Sequence, residues 1–99
     1  MPVPERLRPA LRAELDALAR GERPDLMTWV EAYGPSGARL VPPPDDVWTH
    51  PDSEVRVRPD GSAWGVVPLW TEQEAPSDLS AEFEVDDGGR VSLRDVRVM

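Results

Sequence analysis

A chain of 99 residues has room for one hydrophobic interior, so residues 1–99 read as a single domain. Nineteen acids against eleven basic residues, every one an arginine, give a formal net charge of −8, which repels phosphate backbones and anionic bilayers and argues against binding to nucleic acid or membranes. The absence of cysteine excludes disulfides, thiolate catalysis and cysteine-ligated metal, and a chain 39% apolar and 30% charged suits a globular protein of a reducing cytoplasm.

The charge is unevenly spread. Residues 1–39 hold six arginines and six acids, whereas residues 40–99 hold five arginines and thirteen acids. The second half therefore carries the whole excess, which permits a basic protein partner and otherwise serves solubility. Met1-Pro2-Val3-Pro4 lacks an apolar run, and no stretch approaches the roughly 20 apolar residues of a membrane helix, so neither export nor insertion is expected.

Leu7, Leu11, Leu15 and Leu18 share one helical face, and Pro9 restricts the regular part to a start near Arg8 or Pro9. Asp16 and Arg20 stand at the i, i+4 spacing of an ion pair, and Gly21 offers a left-handed stop. A second helix is predicted from about Asp25 to Tyr33, capped by Asp25, with Leu26, Trp29, Val30 and Tyr33 as its apolar face and Gly34 at its end. Gly34-Pro35-Ser36-Gly37 then reads as a turn and Pro42-Pro43-Pro44 as extended polyproline.

From residue 54 the period becomes two. Val55 and Val57, the turn signal Pro59-Asp60-Gly61, and then Trp64 and Val66 predict a hairpin with a loop of two or four residues, if these four side chains share a face. The strand predicted over 62–70 has apolar residues on both faces, Trp64, Val66 and Trp70 on one, Val67 and Leu69 on the other. Leu79, Ala81, Phe83 and Val85 alternate without exception with polar residues and predict the cleanest strand. Asp87-Gly88-Gly89 suits a three-residue turn into a last strand, where a one-residue bulge near Arg94 or Asp95 would return Val96 and Val98 to the core face.

Chemistry-bearing patterns are sparse. His50 is the only histidine, sits in a proline-rich loop, and has Thr49 and Asp52 as turn formers before they are relay partners. Glu72, Glu74 and Asp78 gather beside Trp70, yet the segment lacks the ligand alternation of a calcium loop, and Thr71 with Glu74 fits a capping box. No cofactor or metal is implied. Four tryptophans are many for this length, and core packing competes with a ligand-lining role for them.

The run Trp64-Gly65-Val66-Val67-Pro68-Leu69-Trp70-Thr71-Glu72-Gln73-Glu74-Ala75-Pro76-Ser77-Asp78-Leu79 resembles the signature of a family of small uncharacterised bacterial domains. The likeness implies a domain type and no catalytic residue. In architecture, helices followed by a curved sheet are similar to the cystatin-like roll of the nuclear transport factor 2 superfamily.

Together these patterns predict an α+β fold with two N-terminal helices packed on a curved antiparallel sheet of about four strands. The expected function is a non-catalytic binding or interaction module. The alternatives are an acidic immunity or inhibitor protein for a basic partner, and a small-ligand binder or isomerase. Trp64, Trp70, Glu72, Glu74 and Asp78 are the expected ligand or partner surface. A homodimer is expected through a sheet face that the helices leave bare, unless residues 38–53 fold over that face.

Overall fold

The computed structural model describes residues 1–98. A 3-10 turn over Glu5–Leu7 runs into helix α1 (Arg8–Ala19), with Pro9 in the first turn, where a missing amide leaves no bond unmade. Leu7, Leu11, Leu15 and Leu18 are all buried, as their spacing requires. The helix stops at Gly21, at φ 79°: the amide of Gly21 donates to Leu18 O and that of Glu22 to Ala17 O, a glycine-dependent C-terminal cap. The Asp16–Arg20 pair does not form; Asp16 lies 3.7 Å from Arg12, and Arg20 bonds Glu22 instead.

The second helix is corrected most. In its place stand a 3-10 turn at Pro24–Leu26 and a single helical turn, α2 (Thr28–Glu31), separated by Met27 at ψ 1°. Asp25 caps nothing; its carboxylate is held by a two-pronged bond from Arg23. Without a side-chain cap and with Thr28, Trp29 and Val30 all restricted in χ1, the segment has little local reason to extend its helix. Val30 alone of its expected apolar face is fully buried, while Trp29 is 51% exposed.

Six strands follow or interleave: β1 (Leu40–Val41), β2 (Glu54–Val57), β3 (Ala63–Pro68), β4 (Trp70–Thr71), β5 (Leu79–Val85) and β6 (Val91–Val98). They form two antiparallel sheets, a four-stranded one in the order β2-β3-β5-β6 and a two-stranded one of β1 and β4. The fold is therefore α+β and dominated by sheet, with one full helix, and the expectation of two helices on a single sheet of about four strands is overturned. The strand predicted over 62–70 divides at Leu69, whose carbonyl accepts bonds from the Ser77 amide and hydroxyl, so that Trp70 leaves the large sheet and pairs with Val41.

Pairing also reverses the expected parity of the first hairpin. Val55 stands opposite Gly65 and Val57 opposite Ala63, with residues 58–62 as a five-residue connection. Odd-numbered residues of β2 and β3 thus share the core face, and Trp64 and Val66 face the other way. The reason is packing: Gly65 makes room for the Phe83 ring, and a Cβ there would come within 2.8 Å of Phe83 Cζ and 2.4 Å of the Glu54 carbonyl oxygen. The second hairpin follows its sequence, with a turn over Asp87–Gly89, Gly89 at φ 88° and its amide bonded to Asp86 O. Arg94 is the bulged residue, since Phe83 pairs with Leu93 and Glu82 with Asp95. Val96 returns to the core, while Val98 regains the face but remains 41% exposed.

One core joins Leu11, Leu15 and Leu18 of α1 to Val55, Val67, Ala81, Phe83 and Leu93 of the large sheet. Residues 38–53 enter this same core through Leu40, Val47 and Trp48. The Arg12 guanidinium of α1 lies 4.9 Å from the Trp48 ring and bonds Pro43 O and Asp45, which ties this segment to the helix side of the sheet. It does not fold over the opposite face. At the β2 edge, the Val55 amide donates to Met1 O.

Candidate functional site

The five residues singled out by sequence fall into three places. Trp70 is buried in the small sheet, with its ring edge-on to His50 at 5.8 Å between centroids. His50 Nδ1 accepts the amide of Asp52, so the histidine anchors its turn. Glu72, Glu74 and Asp78 lie on an exposed turn that closes through Thr71: the Glu74 amide donates to Thr71 Oγ1 and the Thr71 amide to Glu74 O. This is half of the predicted capping box, with no helix behind it.

The Glu74 carboxylate does not complete the box but accepts a hydrogen bond from the Tyr33 hydroxyl at 2.7 Å, and the Asp78 amide donates to the Tyr33 hydroxyl oxygen at 3.3 Å. Tyr33, not expected to bear on this turn, pins it to the end of α2. Because the phenol would lose its hydrogen bond to the Glu74 carboxylate on ionising, it is held above its ordinary pKa. An open groove of about 360 Å³ runs between residues 33–37 and Gln73–Glu74. Among the described residues, no three histidine, aspartate or glutamate side chains are placed to hold a metal ion.

Trp64 is elsewhere, on the outer face of the four-stranded sheet, half-buried beside Val66. Strand register sets its neighbours: Arg56 and Glu84 flank it on the two adjacent strands, and Glu54 and Glu82 flank Val66. The Arg56 guanidinium lies 5.9 Å from the Trp64 ring. Arg94, aimed by the bulge, approaches Glu84 at 3.6 Å, and Arg97 bonds Glu82, which raises the guanidinium above its usual pKa. Arg58, Trp64, Glu82, Phe83, Glu84 and Arg94 line an open groove of about 290 Å³.

The charges of this face nearly cancel. Arg56, Arg94 and Arg97, with Arg58 of the hairpin connection, stand against Glu54, Glu82, Glu84 and Asp95, with Asp60 beside Arg58, so seven remaining arginines and fourteen remaining acids carry most of the net −8 elsewhere. A nearly neutral face with a tryptophan at its centre thus sits on an acidic molecule. None of its charged residues stood out in sequence, where they are only the polar alternates of amphipathic strands; an even-numbered stripe emerges once the register is known.

These features define a small sheet-dominated α+β domain with one face packed by helix and loops and the other left as a nearly neutral, tryptophan-centred surface. Residues 5–99 match the family model described as a domain of unknown function, DUF7668, and the chain belongs to that family. No curated protein and no solved structure matches it. No helix among the described residues is long and apolar enough to cross a membrane.

Proposed function

We propose that this protein is a non-catalytic interaction module whose contact surface is the outer sheet face around Trp64. The observation that carries this reading is the near balance of charge: four arginines and five acids surround Trp64 and Val66 on a chain whose net charge is −8. Protein interfaces favour aromatic and arginine side chains at their centres, and a nearly neutral face spares a partner the repulsion it meets elsewhere. A non-catalytic role is supported by His50, whose Nδ1 is engaged by the Asp52 amide, and by the dispersal of Trp64, Trp70 and the acidic turn. The run from Trp64 to Leu79 is proposed as the signature of a bacterial family, because it builds the outer tryptophan, the strand break and the pinned turn together. A reducing cytoplasm is its proposed setting, on the absence of cysteine.

The acidic immunity or inhibitor reading is favoured by one observation, that most of the surplus acids lie off the nearly neutral face and leave the rest of the surface fit for a basic partner. The ligand-binding or isomerase reading of nuclear transport factor 2 type calls for an enclosed pocket, and the two grooves described above are open. A photo-crosslinking residue placed at Ser92, on the outer face, and in parallel at Ser36, in the turn after α2, separates these in lysate of the host. Protein adducts at Ser92 and none at Ser36 are expected. Adducts confined to Ser36, or none at either position, would end the outer-face reading.

A further inference from the structure

We infer that the occupant of the outer face is a second copy of this chain, set face to face about a two-fold axis that runs along β3. The inference rests on the outer face being the contact surface, and it names the partner. A two-fold interface needs a patch complementary to itself, and this face is one. Arg56, Trp64 and Glu84 form a single row across β2, β3 and β5. Rotation about an axis parallel to the strands and above β3 lays β2 of one copy over β5 of the other at the same height. Trp64 then meets Trp64, and Arg56 of each copy meets Glu84 of the other, twice over.

Sheets stack about 10 Å apart, a gap that an arginine and a glutamate reaching from both sides can bridge. The next row brings Glu54 towards Glu82 of the second copy, but Glu82 arrives bonded to Arg97 and Glu54 accepts from the Met1 amino group at 3.0 Å, so these are not bare like charges. Every other part of the surface belongs to the portion with seven arginines and fourteen acids, where two copies repel. Self-association is therefore steered to the one face whose charges nearly cancel. Four strands about 4.8 Å apart and six residues long make a face of roughly 20 by 20 Å, small beside the ~800 Å² per partner of a standard interface. The dimer accordingly belongs at the weak, concentration-dependent end.

Charge exchange tests both the partner and the axis. Arg56 and Glu84 are exposed, so Arg56→Glu and Glu84→Arg leave the core intact. Each variant alone places like charges at both symmetry-related contacts. An equimolar mixture restores opposite charges at both, because Glu at position 56 of one variant meets Arg at position 84 of the other, while the native Arg56 and Glu84 meet on the second side. Sedimentation equilibrium over a hundredfold concentration range at low salt should show wild type passing from monomer to dimer and each variant weakened by more than about tenfold. The mixture should recover to within about threefold of wild type. Wild type that stays monomeric across the range overturns the inference, and so does a mixture no better than its components. If Ser92 still captures a different protein while wild type is monomeric, the interaction module stands and only the second copy falls.

Discussion

Gly65 lies in the middle of β3 because two neighbours occupy the space a side chain would need. A Cβ there meets the Glu54 carbonyl oxygen at 2.4 Å, part of the adjoining strand's backbone, and the rim of the Phe83 ring, itself 1% exposed. Neither can move without opening the hairpin or the core. Gly65→Ala should therefore lose about 1–3 kcal/mol in urea unfolding, in spite of the reduced chain entropy that alanine brings to a strand. A variant as stable as wild type would remove the Val55–Gly65 register. Tyr33, the only tyrosine, offers a second check at this scale. Its hydroxyl donates to Glu74, which raises the phenol pKa, so the bond's contribution is complete below the unfolded value of about 10 and fades as pH climbs through the higher folded value. Ultraviolet titration of the phenolate should give a midpoint above about 10 that falls on Glu74→Gln; an unchanged midpoint would mean the turn is not pinned as described.

At the level of elements, the last strand shows how one added residue aligns a sequence with its sheet. Leu93 and Val96 are three apart, yet both are buried on one face because Arg94 bulges out between the Phe83–Leu93 and Glu82–Asp95 pairs. Removing Arg94 leaves Leu93, Asp95, Val96 and Arg97 in strict alternation, so the pairing beyond the bulge needs no change. The deletion should fold with a loss below about 1 kcal/mol, the scale of its exposed bond to Glu84. Deleting Ser80 from the regular stretch of β5 should instead turn Leu79 out of the core and unfold the protein at far lower urea. Equal effects of the two deletions, read by circular dichroism, would contradict the bulge assignment. The same spacing logic located α1 in advance, because four leucines on one face and a terminal glycine are local signals. The single turn of α2 and its 3-10 neighbour were not legible, since Leu26, Trp29, Val30 and Tyr33 have helical spacing whether or not packing rewards a helix. Only Val30 is fully buried.

For the molecule as a whole, net charge and its placement set which associations are open. Most of the surplus negative charge lies outside the outer sheet face, and that face is nearly neutral, so no part described above offers a basic stripe to a phosphate backbone. Fluorescence anisotropy with duplex DNA or single-stranded RNA should show no binding at about 150 mM salt, and micromolar affinity there would contradict this charge layout. Residues 38–53 bear on the same scale. Their sequence allows them to cover the bare sheet face, but in the fold they join the helix side through Leu40, Val47 and Trp48, drawn there by Arg12 of α1. This leaves Trp64 and Val66 half-buried on the outer face.

What this chain determines by its sequence alone is local or periodic: the register of leucines in α1, the glycine stop at Gly21, the alternation of β5, the turn at Asp87–Gly89 and a bulge near Arg94 or Asp95. Each is settled within a few residues by backbone preference or by the side of a strand on which a side chain must fall. Tertiary structure alone decided which face of β3 is the core. Both faces of that strand are apolar, so hydrophobic pattern gives no preference, and the choice fell to the Phe83 ring seated against Gly65 on the neighbouring strand. The division of Trp64 from Trp70 was decided in the same way, by Ser77 capturing the Leu69 carbonyl from eight residues away. Such contacts depend on which segments meet, and that is a property of the packed chain that no window of the sequence contains.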